Sequence, residues 1–220
     1  MAKIVVLGAG ISGHTAAAHL RRKLSKEHEV LVISPNRNYQ WVPSNIWVGI
    51  GRMKSNEIIF PLEPLYKRKG IGYIQSKAVS FHPEGDSTET KPYILVEGVY
   101  GDTLGKQEKV TYDYLINATG PKLAFDMTEG LVPGTNKAYS VCTYDHAEHA
   151  SEALLKLIDE LKTSDKKVKI LIGTGHAKST CQGAAFEYIL NVEKELVNHG
   201  VRDKAEITWI SNEYELGDFG

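Results

Sequence analysis

The chain has 220 residues, of which 42% are hydrophobic, so it can build a sizeable core in one large domain or two small ones. Its 26 Lys and Arg residues nearly balance its 27 Asp and Glu residues, which argues against a nucleic-acid partner and favours small molecules. We find no leader segment and no run of about eighteen apolar residues, and therefore expect neither export nor a membrane span.

The first predicted strand, residues 4–7, runs into a glycine-rich turn. Gly8, Gly10 and Gly13 form the pattern Gly-x-Gly-x-x-Gly, and an alanine-rich helix is predicted for residues 15–24. In dinucleotide-binding units these glycines provide the tight turn, the close approach to a pyrophosphate and the close packing of helix on strand. The helix N-terminus then attracts phosphate. The pattern alone is weak evidence, but its position between a strand and a helix predicts dinucleotide binding.

The second predicted strand, residues 29–33, lacks the acidic residue that usually holds the ribose about twenty residues after the turn. It continues instead into Ser34-Pro35-Asn36-Arg37, so Ser34 and Asn36 become the candidates for ribose binding. Arg37 admits two readings, a ligand for the 2′-phosphate of NADP or a solvated loop residue.

A parallel α/β sheet with an antiparallel excursion is predicted for the rest of the first domain. A short strand is predicted near residues 71–74, and alternating segments between residues 78 and 111 predict antiparallel strands before a strand at residues 114–117. That strand lies in the stretch Tyr112-Asp-Tyr-Leu-Ile-Asn-Ala-Thr-Gly-Pro121. Together with the glycine turn, this stretch indicates a flavoprotein and favours FAD over NADP.

A connecting helix is predicted next. The spacing Asp145-x-x-Glu148 is typical of a capping box, and apolar residues recur behind it at helical intervals. We therefore predict a helix at residues 147–161, followed by a polar linker.

A second dinucleotide-type unit is predicted after that linker. Its strand and glycine turn, its helix and its last strand are predicted at residues 168–175, 181–198 and 206–210. One βαβ unit cannot complete a doubly wound domain, so we expect this Rossmann-like domain to be truncated. The predicted domains are residues 1–149, which bind FAD, and residues 150–220.

Cys142 and Cys181 do not predict a disulfide, because we expect a reducing compartment. Cys181 follows Ser179 and Thr180, which cap helices well, and is therefore predicted in the first turn of its helix. A helix N-terminus lowers the pKa of a thiol, and the thiolate is the form that attacks sulfur or flavin. A redox nucleophile and a buried structural cysteine both remain open at this point. Cys142, taken alone, is equally typical of a small core residue.

The chain resembles the sulfide:quinone oxidoreductases, a family of the flavoprotein disulfide reductase superfamily with two dinucleotide-binding domains. The resemblance follows the family's order along the whole chain. Besides the first glycine turn it rests on Tyr39-Gln-Trp-Val-Pro-Ser-Asn-Ile-Trp-Val-Gly49, Tyr112-Asp-Tyr with Ala118-Thr-Gly-Pro-Lys122, Val141-Cys-Thr-Tyr-Asp-His146 and Cys181-x-Gly-x-Ala-x-Glu187.

The resemblance implies oxidation of hydrogen sulfide to polysulfide or sulfur, with FAD passing two electrons to a membrane quinone. It also implies a peripheral membrane protein of roughly twice this length. The other half would contribute a third cysteine, part of the FAD site and the helices that contact the membrane. The quinone, the length of the sulfur product and the oligomeric state, a homo-oligomer included, are left open.

The resemblance also assigns roles to single residues. Cys181 would carry the growing sulfur chain, and Cys142 would lie close to the flavin. Glu187 and His146 are assigned to proton transfer, although an isolated helical glutamate is usually just solvent-exposed. No metal ligand is predicted. The predicted cofactor-binding residues are Gly8, Gly10, Gly13, Ser34, Asn36, Val42, Pro43, Ala78, Ala118, Thr119 and Gly120.

Three alternatives remain beside this hypothesis. A type II NADH:quinone reductase shares the two-domain frame. Its second glycine turn would require a third glycine for close packing of the helix, but this position is occupied by Lys178. The flavin subunit of flavocytochrome c sulfide dehydrogenase is a relative that is usually exported. A non-catalytic FAD- or NAD(P)-binding module would retain flavin without sulfide-dependent reduction.

Overall fold

The computed structural model describes residues 1–176, 178–179 and 181–214. Contacts divide the chain into two units. Unit 1 comprises Met1–Gln40 and Ile59–Lys122, and unit 2 comprises Trp41–Ile58 and the chain from Leu123 onward. These units are defined by contacts, whereas the boundary predicted at residue 149 separates two domains along the sequence. That boundary stays a prediction. Residue 180, one of the two predicted caps of the last helix, lies outside the described residues.

Strands and helices alternate along the chain. The strands are β1 (Lys3–Leu7), β2 (Glu29–Ile33), β3 (Asn38–Gln40), β4 (Ile59–Pro61), β5 (Gly72–Ile74), β6 (Ser76–His82), β7 (Tyr93–Gly98), β8 (Gln107–Thr111), β9 (Tyr114–Asn117), β10 (Val168–Gly173) and β11 (Ala205–Ile210). The α-helices are α1 (Ile11–Lys23), α2 (Asn45–Gly49), α3 (Ser55–Ile58), α4 (Leu62–Lys69), α5 (Tyr144–Lys162) and α6 (Gln182–Asn198).

The predicted parallel sheet forms in unit 1, with its strands in the order β5-β2-β1-β9. Successive side chains of a strand point to opposite faces. Val6 therefore packs with Ala17 of α1 and Tyr66 of α4, whereas Val5 packs with Ile94 of β7 on the other face. Because both faces are covered, the central strands are hydrophobic throughout. The predicted α/β, Rossmann-like fold is confirmed.

The antiparallel excursion is a three-stranded sheet in the order β6-β7-β8. Its register shifts between Ala78 and Ser80, where a β-bulge interrupts the pairing with β7. This sheet supplies the apolar cover for one face of the parallel sheet, because Ile94, Val96 and Val110 belong to the core that contains Val5.

Residues 38–69 form elements that the sequence did not predict. Strands β3 and β4 pair antiparallel, with Tyr39 opposite Phe60. Each has three residues, too few to show a period of two. Helix α4 ends at Lys69, and Gly70, with a φ of +67°, is its left-handed C-cap.

Unit 2 contains the predicted βαβ unit. Strands β10 and β11 pair in parallel from Val168 opposite Ala205 to Gly173 opposite Ile210. Their core-facing residues pack against both long helices, with Leu154, Ile158 and Leu161 from α5 and Val192 and Leu196 from α6. Within the described parts of the chain, no helix is long and apolar enough to cross a membrane.

The capping box predicted for α5 is wrong. The helix starts at Tyr144, and Thr143 is its N-cap without a side-chain capping bond. The Glu148 carboxylate instead accepts a hydrogen bond from the Ser55 hydroxyl. The partner is remote in sequence, so the spacing alone could not reveal it.

Candidate functional site

The carboxyl ends of the parallel strands of unit 1 meet at one edge. Leu7 of β1 is opposite Ile33 of β2 and Asn117 of β9, and the chain leaves all three strands at that level. Strands β2 and β9 flank β1 on opposite sides. This is the arrangement in which open α/β sheets bind their ligands.

Gly8 makes the first turn at this edge possible. Its φ is +94° and its N–H donates to the Ile33 carbonyl at 2.8 Å. A Cβ added there would lie 2.2 Å from the Ala118 carbonyl oxygen. Gly13 is equally constrained, because a Cβ would lie 2.0 Å from the Gly8 carbonyl oxygen. Both positions therefore demand glycine for the packing of α1 on the sheet.

Gly10 differs from the other two glycines. It is exposed, it is the N-cap of α1, and a Cβ added to it would meet no atom within 4 Å. The packing of the described protein thus gives no reason for glycine here. An open space directly at the N-terminus of a 13-residue helix fits the pyrophosphate of a dinucleotide, which needs close backbone approach.

The segment after β9 borders the same turn. Ala118 donates its N–H to the Leu7 carbonyl at 2.8 Å. Thr119 donates both its N–H and its hydroxyl to the Asn117 side-chain oxygen, at 3.2 and 2.9 Å. Gly120 follows with a φ of +73°. Ala118 and Thr119 therefore lie beside Gly8, held by the backbone of β1 and by Asn117, and Gly120 follows them directly in the chain.

The two predicted ribose ligands, both in the loop after β2, differ in their exposure to solvent. Ser34 is 1% exposed, and its hydroxyl accepts the Asn36 N–H at 3.2 Å. Asn36 is exposed, and its carbonyl accepts the Tyr73 hydroxyl at 2.6 Å. The amide of Asn36 is therefore the more accessible of the two side chains. Arg37 is exposed as well. The ribose assignment stays a prediction.

Ala78 lies elsewhere in unit 1. It pairs with Val96 in the antiparallel sheet and packs, partly buried, against the core beneath it. Its side chain faces protein, so any contact with a cofactor would have to come from the backbone at the bulge.

Four side chains in the segment of residues 41–47 of unit 2 are exposed. Val42 and Pro43 begin a short 3-10 helix, Val42–Ser44, that leads into α2. Val42 is 46% exposed, Trp41 48% and Trp47 40%. These side chains are therefore not ordinary core, and a flat apolar ligand could reach them.

Both cysteines lie at the beginning of a helix in unit 2. Cys142 comes two residues before α5, and its N–H donates to the Ser140 hydroxyl at 3.1 Å. Cys181 is the N-cap of α6 and not, as predicted, a residue of its first turn. Both thiols are free and exposed in the described part of the chain, and their redox roles stay predictions.

The two predicted proton-transfer residues have different surroundings. His146 lies in the first turn of α5, with its ring edge-to-face on Phe125 at 5.3 Å between centroids. Its Nδ1 is buried and has no hydrogen-bond partner among the described residues. Glu187 is exposed on α6. His146 thus has an unused buried nitrogen, whereas Glu187 is a solvated carboxylate.

Two further features of unit 2 escaped the sequence analysis. Arg52 donates two hydrogen bonds, at 2.8 and 3.0 Å, to the carboxylate of Glu195, which is 5% exposed. Tyr188 donates its hydroxyl to the Gly49 carbonyl at 3.1 Å. Each pair joins α6 to the segment around α2 across more than a hundred residues, and no local pattern signals such a contact.

The chain is similar in sequence to known oxidoreductases. A family model described as pyridine nucleotide-disulphide oxidoreductase matches residues 2–183. The sulfide-quinone reductase of Aquifex aeolicus (strain VF5) is 34% identical over 221 residues, which cover 100% of this chain and 45% of that protein. The mitochondrial sulfide:quinone oxidoreductase of Dictyostelium discoideum is 27% identical over 211 residues, covering 95% of this chain and 42% of that protein.

A solved structure agrees with these matches. The X-ray structure of the sulfide:quinone oxidoreductase from Aquifex aeolicus superposes with a TM-score of 0.78 at 29% identity, covering 100% of this chain and 45% of that one. The chain spans about half the length of the curated relatives it matches. The predicted resemblance and the predicted cofactor, FAD, are confirmed. With the family model matching most of its length, the chain belongs to the pyridine nucleotide-disulphide oxidoreductase family.

Proposed function

We propose that the protein oxidises hydrogen sulfide to polysulfide or sulfur with FAD and passes the two electrons to a quinone. One observation carries the proposal: the two free cysteines, Cys142 and Cys181, are both exposed at helix N-termini of unit 2. Sulfide can reach an exposed thiol, and the thiolate is the form of cysteine that reacts with sulfur. The similarity to sulfide:quinone oxidoreductases supports sulfide and quinone as the substrates.

The reaction must balance in electrons and protons. Oxidation of HS⁻ to sulfur releases two electrons and one proton, and reduction of a quinone takes up two electrons and two protons. One proton per turnover therefore enters from solvent. When bound, FAD supplies the two-electron carrier between thiol and quinone.

Cys181 is the proposed sulfur acceptor. HS⁻ attacks its Sγ when that atom is held in an oxidised sulfur–sulfur bond. A new bond from sulfide to Cys181 forms, the old bond breaks, and its electron pair leaves with the departing thiolate. Cys142 is proposed as the second redox cysteine of the chain, and its exposure is what that role requires.

The proton steps are assigned to side chains near the starts of the helices. His146 would hold and release a proton at Nδ1, the buried atom that has no partner among the described residues. Glu187 would exchange protons with solvent from its exposed position on α6. Both roles follow from the resemblance, and the free nitrogen of His146 gives it the stronger structural support.

The cofactor contacts are proposed separately for each unit. In unit 1, Gly10 and the N-terminus of α1 would bind the pyrophosphate, with Ala118, Thr119 and Gly120 beside them. In unit 2, the exposed Val42 and Pro43 would pack against the flavin ring. Because quinones dissolve in the bilayer, we also propose that the protein works at the membrane surface as a peripheral protein.

The test is the steady-state rate of quinone reduction by sulfide, measured with the purified protein. Cys181→Ser should abolish it while the flavin content stays at the wild-type level. Ser164→Cys in that variant adds a partly exposed thiol two residues after the C-terminal end of α5 and should not restore the rate. Full activity in Cys181→Ser would contradict the proposal, and recovery with Ser164→Cys would contradict the specific role of Cys181.

A further inference from the structure

Three segments of unit 2 that carry or adjoin the proposed flavin-contacting and redox residues meet at Gly49. The first is α2, which continues the short helix that contains Val42 and Pro43. The second is the stretch that ends in Cys142, and the third is α6, which begins after Cys181. Helix α6 bears Tyr188 seven residues after Cys181, about 10 Å along the helix axis.

The contacts around Gly49 leave no spare room. A Cβ added to Gly49 would lie 2.7 Å from Cγ1 of Val141 and 3.0 Å from Cε2 of Tyr188. Gly49 itself is buried. The absence of a side chain therefore lets the residue before Cys142 and the ring of Tyr188 approach the same point of α2.

Tyr188 adds a directed bond to this packing. Its hydroxyl donates to the Gly49 carbonyl at 3.1 Å, and Gly49 is the last residue of α2. Carbonyls at the end of a helix lack partners within the helix, so this bond satisfies one of them. Burial raises the pKa of the Tyr188 phenol, which keeps the donor protonated throughout the ordinary working range of pH.

We propose that Tyr188 is a positioning residue, which fixes the Val42–Ser44 segment and the Cys142 segment relative to helix α6 and so sets the geometry of the redox residues. The inference rests on the proposed function for its link to sulfide. Its structural content, that Tyr188 controls how Cys142 is presented, can be tested apart from that function. Nothing in the family resemblance or in the sequence pattern assigns a role to this tyrosine.

The test variant is Tyr188→Phe, which keeps the ring beside Gly49 and removes only the hydroxyl. The matched control is Tyr93→Phe, which removes the hydroxyl of a buried tyrosine that donates to Asp86 in the antiparallel sheet. Gly49→Ala is a second variant, since its methyl group must displace Val141 or Tyr188.

Two readouts distinguish positioning from simple stability. The first is the limiting rate of flavin reduction by sulfide in a single turnover, for which we expect a fall of about 10- to 100-fold in Tyr188→Phe because misplacement of about 1 Å costs that much. The half-saturating sulfide concentration should stay near the wild-type value. The second is the rate at which iodoacetamide alkylates Cys142 in a Cys181→Ser background, which should change in both Tyr188→Phe and Gly49→Ala.

Each result of these two measurements either supports or overturns the positioning role of Tyr188. Altered alkylation of Cys142 with wild-type flavin content supports the proposal, even if wild-type flavin ignores sulfide and the proposed function itself fails. Wild-type alkylation and wild-type reduction rates in Tyr188→Phe would overturn it. So would a result in which Tyr188→Phe and Tyr93→Phe differ from wild type only by the same loss of thermal stability.

Discussion

The three glycines of the first turn should respond differently to the same small change. Replacing Gly10 by alanine adds a methyl group in open space, where no described residue other than its chain neighbours comes within 4 Å. Replacing Gly13 adds the same group 2.0 Å from the Gly8 carbonyl oxygen and 3.3 Å from Cβ of Ala118. We expect the first change to damage cofactor binding alone and the second to damage the fold as well.

The magnitudes follow from the backbone at each site. Gly10 has φ −72° and ψ −168°, an extended conformation that alanine adopts freely. Reduced freedom of the unfolded chain stabilises Gly10→Ala by about 0.4–1 kcal/mol, and the poorer N-cap offsets about as much. Overpacking at Gly13 costs about 1–3 kcal/mol or more. Loss of one backbone hydrogen bond to a charged pyrophosphate costs about 1.5–3 kcal/mol, which is about 10- to 150-fold in FAD affinity.

The assay combines FAD titration of the cofactor-free protein with thermal unfolding followed by circular dichroism. Gly10→Ala should keep the wild-type melting temperature to within a few degrees and lose FAD affinity. Gly13→Ala should lose both. Unchanged FAD affinity in Gly10→Ala would refute the placement of the pyrophosphate, and unfolding of that variant would refute the claim that its surroundings are empty.

Two more predictions concern stability. Arg52→Gln strands the buried carboxylate of Glu195, so the melting temperature should fall by several degrees. Glu193→Gln weakens an ion pair with Arg202 in which both side chains are more than a third exposed, so the fall should be much smaller. Equal effects would contradict this reasoning. Burial, aided by Lys69, lowers the pKa of His14, so below about pH 6.5 the unfolded chain binds a proton that the folded chain does not. Stability should therefore fall from pH 7 towards pH 5.5, less steeply in His14→Gln, and urea unfolding at each pH checks this; parallel curves would contradict it.

Periodicity and glycine chemistry made most of the fold predictable. Strands β2 and β9 were predicted with their observed bounds, and β1 and α1 to within a few residues, because each is bounded by a turn and carries apolar residues where it is buried. The antiparallel strands were recognised from alternation between residues 78 and 111. By contrast, β3 and β4 are held by pairing with each other, and three residues carry too little pattern to reveal that.

The candidate site was predictable only where it depends on local sequence. The roles of Gly8 and Gly13 follow from a turn that a few residues define. The contact of Tyr188 with Gly49 and the pair of Arg52 with Glu195 join positions 139 and 143 residues apart, so only the folded chain brings them together. At Glu148 the local sequence was misleading. The spacing of Asp145 and Glu148 suggested a capping box, but the Glu148 carboxylate accepts a hydrogen bond from the remote Ser55.

The visible spectrum of the purified protein, recorded without oxygen, tests the central claim most directly. Sulfide should bleach the flavin absorption, a soluble quinone should restore it, and Cys181→Ser should abolish the bleaching. A flavin that ignores sulfide and is bleached by NADH would contradict sulfide oxidation and favour an NADH:quinone reductase. A protein that binds no flavin would contradict the assignment of the cofactor itself.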